Sequence, residues 1–269
     1  WIGSISPGRA ADILIVSDLP NLVIDEVYSD GVLVAKDGEM AVSFAPYSYP
    51  EFALKTMNIQ ARSPQDFEIP AETDAIHVNP GKVNTTEVFA TLRPVNGKYT
   101  ADTAHDLAKG FIFYRHQPKE GATGSRGFGF VEGVHLNANC AYASTVSHDS
   151  HNLLVIGTSD EAMAAAANAV IASEGGIAIV VDGKVEAHMP LPMAGLMCIE
   201  PIETAAEKIQ SIEHALRKAG CPYQSIEMTL SLLGLIVIEE LRLSNKGLAE
   251  LKSSEPIRLV NWIIEEEKA

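Results

Sequence analysis

Short apolar runs separated by turn residues dominate the start of the chain. They span Ala11 to Val16, Val23 to Tyr28 and Gly31 to Ala35, with turn residues at Ser6-Pro7-Gly8 and at Lys36-Asp37-Gly38-Glu39. The runs are rich in branched residues and recur at intervals of about ten residues, which is typical of short antiparallel strands. The first part of the chain is therefore predicted to be antiparallel β structure.

The pattern changes between Phe44 and about Lys82, where prolines are spread through polar and aromatic residues. Proline removes a backbone donor and breaks helices, which favours a linker or a connection along the surface. We therefore expect a first domain at residues 1–57, a Pro-rich connection at 58–82 and a second domain at 83–269.

Strand and helix patterns are mixed in the second domain, which predicts an α+β fold. Ser159 or Asp160 can cap a helix that ends at Gly175-Gly176, and a second helix is predicted from Pro201 to about Ala219. Asp182-Gly183 predicts the turn of a hairpin. The other predicted strands are Thr86 to Leu92, Phe111 to Arg115, Gly127 to Val131, Ala141 to Ser147, Leu153 to Gly157 and Glu240 to Leu243.

Composition narrows the classes of partner. The chain has 269 residues and a formal net charge of −15, from 20 Lys and Arg against 35 Asp and Glu. Binding to nucleic acid or to an anionic membrane draws on a surplus of basic residues, so we expect neither partner.

The longest apolar stretch, Met228 to Ile238, is too short to span a bilayer and is predicted to be a core segment. Three cysteines without CxxC spacing fit a reducing, cytoplasmic setting.

The densest group of chemically active side chains is Ser147-His148-Asp149-Ser150-His151-Asn152, between two predicted strands. Histidine and aspartate can move protons or bind divalent metals near neutral pH, but only a sharp turn brings these side chains together. In a helical turn His148 and His151 share one face, whereas in an extended segment they point to opposite faces. The alternative is a turn between buried strands with locally satisfied histidines.

Two further segments carry weaker signals. Arg115-His116 precedes a glycine-rich stretch with Gly121, Gly124, Ser125 and Gly127. Its spacing matches neither GxxxxGK(S/T) nor a GxGxxG that opens a helix, which favours a flexible loop over an anion-binding one. The apolar segment Pro190 to Met197 can wall a pocket or form an ordinary packed connection. No HxH, HExxH or G-x-S-x-G motif is present, and the paired H-x-E and P-C-x-x-C motifs of the cytidine-deaminase type are also missing.

Several of these segments together resemble a known family. Gly3 to Val16 is similar to the segment by which amidohydrolase-superfamily enzymes re-enter a small β-sandwich after their barrel. Ala143 to Asn152, Val155 to Met163 and Pro190 to Met197, with Arg115-His116 and Gly127 to Gly133, resemble the C-terminal part of the bacterial and archaeal adenine deaminase family. The resemblance implies the end of an amidohydrolase-type β-sandwich followed by an α/β C-terminal domain.

The resemblance also implies an activity. The family is a metal-dependent hydrolase that converts adenine to hypoxanthine and ammonia by cleaving a cyclic amidine C–N bond. A binuclear site of manganese or iron would lie on an upstream barrel, so we expect no metal ligand in this chain and no activity from it alone. The opening Trp1-Ile2-Gly3 suggests a start inside a longer protein. Adenine, that barrel and further copies of the protein are the expected partners.

Within this reading, His148, Asp149 and His151 are auxiliary catalytic candidates, and Asn152, Arg115 and His116 are substrate-binding candidates. The loop from His148 to Asn152 would face the mouth of the barrel, with Asp149 orienting an imidazole. Three alternatives stay open: a non-catalytic assembly or stabilising module, a diverged deaminase with another substrate, and a self-sufficient metal hydrolase built on His148 and His151.

Overall fold

The computed structural model describes residues 1–71, 77–79, 86–88, 94–116, 126–252 and 255–260. The chain divides into two compact units, Trp1–Tyr49 and Pro50–Ala269. The first unit thus ends ahead of the predicted boundary at residue 57. The reason lies in backbone contacts of the intervening residues, since Ala194 N donates to Ala53 O at 2.6 Å and Met57 N donates to Glu174 Oε2 at 3.2 Å.

The first unit is a single antiparallel sheet. Its strands are β1 (Ile13–Asp18), β2 (Val23–Ser29), β3 (Val32–Lys36) and β4 (Glu39–Met40), in that order across the sheet. The predicted strands and the turn at Asp37-Gly38 are confirmed.

No residue of this first unit is buried. The neighbours Leu14 and Ile15, which point to opposite faces of β1, are 52% and 45% exposed. Apolar side chains are therefore uncovered on both faces of the sheet.

The second unit is built on an eight-stranded sheet with the order β14-β13-β11-β12-β9-β10-β6-β7. All neighbours are antiparallel except β6 and β10. Its strands are β6 (His77–Asn79), β7 (Thr86–Val88), β9 (Leu107–Phe113), β10 (Arg126–Glu132), β11 (Cys140–Ser144), β12 (Leu153–Gly157), β13 (Gly176–Val181) and β14 (Lys184–Pro190). A short pair, β5 (Ile69–Pro70) and β8 (Lys98–Tyr99), lies apart from it.

Every residue of β9, β11, β12 and β13 is buried, as their near-continuous apolar sequences require. Strand β9 starts earlier than predicted because Lys109 is accommodated inside it by an ion pair with Asp160 and a hydrogen bond to Phe67 O at 2.7 Å. Strand β11 ends earlier than predicted, where Ser144 Oγ accepts from Val146 N at 2.9 Å.

The helices of this unit are α1 (Glu51–Leu54), α2 (Asp160–Ala172), α3 (Ile202–Lys218) and α4 (Ile226–Ser231). Ser159 is the N-cap of α2, because its side chain accepts from Ala162 N. The two long helices, α2 and α3, lie where the sequence predicted them. No helix within the described ranges has the length and apolar character that a membrane span needs.

Part of the predicted Pro-rich connection belongs to the core. Phe67 and Ile69 are completely buried. The Phe67 ring meets the rings of Phe111 and Phe113 edge-on, with centroids 5.3 Å away in each case. Aromatic pairs of this geometry add to the stabilisation from burial alone. The segment that carries Phe67 and Ile69 therefore closes one side of the main sheet.

A small antiparallel sheet of β15 (Glu240–Ser244), β16 (Gly247–Leu251) and β17 (Arg258–Val260) packs against β10. The close approach depends on Gly127, where a Cβ atom would lie 1.9 Å from Ser244 O. In the predicted core segment, Leu230 and Leu233 are fully buried, but Met228 and Val237 are exposed.

Candidate functional site

The segment Ser147 to Asn152 forms a tight turn between β11 and β12. His151 N donates to Ser147 O at 2.7 Å, which closes the turn. The rings of His148 and His151 lie 5.3 Å apart between centroids. The backbone therefore turns sharply at this segment, and the turn brings the two imidazoles together.

His148 is held by the end of α4. Its backbone N donates to Ser231 O at 2.9 Å, and its Nδ1 lies 3.0 Å from Ser231 Oγ. Asp149 is exposed, and within the described ranges no hydrogen bond joins it to either imidazole. In this arrangement a serine hydroxyl, not the carboxylate of Asp149, orients the imidazole of His148.

His151 has one ring nitrogen enclosed in the protein. Its Nδ1 is buried and makes no hydrogen bond within the described part of the chain. Burial lowers the pKa of His151, and the nearby charges of His148 and Arg115 lower it further. The imidazole is therefore neutral near pH 7, and a neutral imidazole can accept a proton.

Arg115 lies behind this turn and is only 1% exposed. Its guanidinium donates to His151 O at 2.5 Å, to Ala194 O at 2.9 Å, and to the O and Oγ1 atoms of Thr56 at 3.1 and 3.0 Å. Burial lowers the pKa of Arg115. The next residue, His116, places Nε2 2.6 Å from Ser150 O.

Asn152 lies at the start of β12 and is almost completely buried. Its Nδ2 donates to Ser150 Oγ at 3.0 Å and to Asn245 Oδ1 at 3.5 Å, while its Oδ1 has no partner in the described residues. Asn245 belongs to the turn between β15 and β16. The small sheet thus reaches the same end of the main sheet as the histidine turn.

The apolar segment Pro190 to Met197 lies beside Arg115. Gly195 O accepts from Thr145 Oγ1 at 2.6 Å, and Gly195 has φ +70, which favours glycine. A Cβ on Gly195 would lie 2.8 Å from Arg115 Nη2. The segment is a packed connection whose backbone fits closely around the guanidinium.

All of the sequence-predicted site residues therefore gather at one end of the main sheet. Sequence reasoning missed Thr56, Ser231 and Asn245, each of which makes a hydrogen bond to one of these site residues. It also missed Thr145, which donates to Gly195 O in the adjoining apolar segment. Only Asn245 had a local signal, as part of the turn sequence Ser-Asn-Lys-Gly. Gly121, Gly124 and Ser125 lie outside the described residues, whereas Gly127 is a packing position in β10.

The described residues contain no group of three or more His, Cys, Asp or Glu side chains placed to hold a metal ion. What the arrangement offers is two adjacent imidazoles, one with a lowered pKa, next to an exposed carboxylate. Such a group can exchange protons and hydrogen bonds with a polar ligand.

Comparisons with known proteins agree on one family. Residues 82–255 match the family model described as the adenine deaminase C-terminal domain. The chain is 42% identical over 265 residues to a protein named adenine deaminase from Clostridium botulinum (strain 657 / Type Ba4), covering 96% of this chain and 43% of that protein. It is 41% identical to a protein of the same name from Rubrobacter xylanophilus, covering 98% and 44%. The chain thus spans less than half the length of these relatives.

Proposed function

The chain belongs to the adenine deaminase C-terminal domain family, and on this premise we propose that it is the C-terminal portion of an adenine deaminase. The proposed reaction is the hydrolysis of adenine to hypoxanthine and ammonia. Arg115-His116, Ser147 to Asn152 and Pro190 to Met197, which are far apart in sequence, meet at one end of the sheet. This convergence is the observation that carries the proposal, because the groups that act on a substrate and the groups that position them must lie together.

The catalytic barrel and its divalent metal ions, manganese or iron, are proposed to lie in an upstream part of the enzyme. The first unit supports this, because a four-stranded sheet with apolar residues uncovered on both faces needs a covering layer. We propose that this sheet is the end of an amidohydrolase-type β-sandwich. We also expect the chain alone to be inactive, because the metal ions that activate the attacking water are proposed to lie on that barrel.

The loop from His148 to Asn152 is proposed to face the mouth of the barrel. The neutral imidazole of His151 can accept a hydrogen bond from the adenine amino group or from the departing ammonia. His148, held by Ser231, supplies a second imidazole on the same side. Asp149 is exposed and free to act on a substrate that approaches from outside the domain.

Alanine substitutions in the full-length enzyme test this role. Because a positioned acid or base contributes about 100-fold or more to a rate, His151→Ala should lower kcat/KM by about that factor. His148→Ala and Asp149→Ala should give smaller losses. His214→Ala, an exposed position on α3, is the matched control and should leave kcat/KM unchanged.

Metal content is measured on the same samples by elemental analysis and should equal that of the unsubstituted enzyme. Unchanged kcat/KM in all three loop variants would remove the loop from the active site. A loss of metal in the loop variants would instead show that they act on the metal centre.

A further inference from the structure

The dipeptide Arg115-His116 extends from the end of β9 toward the backbone of the histidine turn. Arg115 Nε donates to His151 O at 2.5 Å, and His116 Nε2 lies 2.6 Å from Ser150 O. A carbonyl oxygen can only accept a hydrogen bond, so His116 Nε2 carries the proton. Two adjacent side chains therefore hold two consecutive carbonyl groups of the turn.

The donors of Arg115 are almost fully used within the protein. A guanidinium has five N–H groups. That of Arg115 donates to four acceptor atoms, which are His151 O, Thr56 O, Thr56 Oγ1 and Ala194 O. The side chain is 1% exposed. It is therefore committed to three backbone segments and does not present its charge to a ligand.

The turn needs this support because His151 has φ +49, in the left-handed region that non-glycine residues seldom adopt. On the other side of the guanidinium, Gly195 leaves no room for displacement, since even a Cβ there would lie 2.9 Å from Arg115 Cζ. The positions of the turn and of the Pro190 to Met197 segment are thus coupled through one side chain.

We infer that Arg115 and His116 are positioning residues that fix the histidine turn by holding the carbonyl groups of His151 and Ser150, and that neither binds the substrate. This inference rests on the proposed role of the turn in the deaminase reaction. Arg115 and His116 bind two backbone carbonyl oxygens. Another side chain that places an N–H group at the same distance from the carbonyl oxygen can therefore replace either donor in part.

The test uses full-length enzyme with Arg115→Lys, His116→Leu and His116→Gln. Arg217→Lys, at an exposed ion pair at the end of α3, serves as the control. Because displacement of a catalytic group by about 1 Å can cost about 100-fold in rate, Arg115→Lys should lower kcat by about 10- to 100-fold with KM changed less than about twofold. His116→Leu should lower kcat less, and His116→Gln, which keeps a donor, should recover most of it.

A rise in KM at unchanged kcat would overturn the inference, because that is the signature of lost substrate binding. Equal kinetics for His116→Leu and His116→Gln would also overturn it for His116. A second measurement, the NMR signals and titration of the His151 imidazole, does not depend on deamination. Arg115→Lys should shift these signals, whereas Arg217→Lys should not.

The two readouts separate the inference from the proposed function. If the imidazole signals shift but neither Arg115→Lys nor His151→Ala alters kcat, the turn is held as inferred and the proposed catalytic role is wrong. If His151→Ala lowers kcat/KM while Arg115→Lys changes neither kcat nor the imidazole signals, the positioning role is wrong and the proposed function stands.

Discussion

Two glycines under the small sheet provide a sharp test of how the hairpin β15–β16 is seated. At Gly127, a Cβ would lie 1.9 Å from Ser244 O and 2.6 Å from Gly247 N, which are backbone atoms. At Gly110, a Cβ would instead lie 2.8 Å from a methyl group of Val131 and 3.0 Å from a methyl group of Leu243. Side-chain methyl groups can rotate away, but a backbone oxygen can move only with its hairpin.

The expected costs differ accordingly. Ordinary contacts between non-bonded heavy atoms lie at roughly 3.5 Å, so Gly127→Ala must displace the hairpin by more than 1 Å. Overpacking of this kind costs about 3 kcal/mol. Gly110→Ala should cost about 1 kcal/mol or less, because loss of glycine flexibility in the unfolded chain offsets about 0.5 kcal/mol of the strain.

Thermal unfolding provides the assay. For a unit of this size each kcal/mol shifts Tm by about 2–4 °C, so Gly127→Ala should lower Tm by about 6–12 °C and Gly110→Ala by about 4 °C or less. Displacement of the hairpin also moves Asn245 away from Asn152, so Gly127→Ala should reduce activity of the full-length enzyme at a temperature where it remains folded. Equal Tm values for the two variants would refute the backbone-contact argument.

Three further predictions concern the main unit. Lys109→Met leaves Asp160 without its cation in a half-buried site and should lower the free energy of unfolding, measured by urea denaturation, by about 2–3 kcal/mol. Adding Asp160→Asn to the same chain should restore a part of that loss. Ser159→Ala removes the N-cap of α2 and should cost about 1 kcal/mol in the same assay, with an unchanged m value. Burial and the charge of Lys208 lower the pKa of His188 below its ordinary 6.5, so the folded protein loses stability as the pH falls from about 7 through that lowered pKa. His188→Gln should flatten this dependence of the unfolding free energy on pH. An identical dependence in the variant would contradict the assignment.

The parts of the fold that follow from local pattern were predictable. Buried strands such as β12 are continuous apolar runs, and α2 has a serine cap and a glycine-rich end. Lys109 concealed the start of β9, because its charge is compensated by Asp160, which lies far along the chain. Phe67 could not be recognised as core among prolines, since its aromatic partners Phe111 and Phe113 come from β9, which is distant in sequence.

The same distinction applies to the site. The histidine turn was recognisable because its residues are contiguous in sequence. Thr56 and Ser231 each make two hydrogen bonds to the site from distant segments, and an isolated threonine or serine carries no pattern that would single it out. Asp149 was expected to orient an imidazole because it is adjacent in sequence, but the orienting hydroxyl comes from α4.

The contacts of Arg115 have a practical consequence for cutting the protein into fragments. The family match begins at residue 82, yet Thr56, which accepts two of the hydrogen bonds of Arg115, and Phe67, which fills the core, both precede it. A fragment started at residue 82 would expose the rings of Phe111 and Phe113 and leave the guanidinium short of acceptors. A fragment that begins at Pro50, where the second compact unit begins, keeps both.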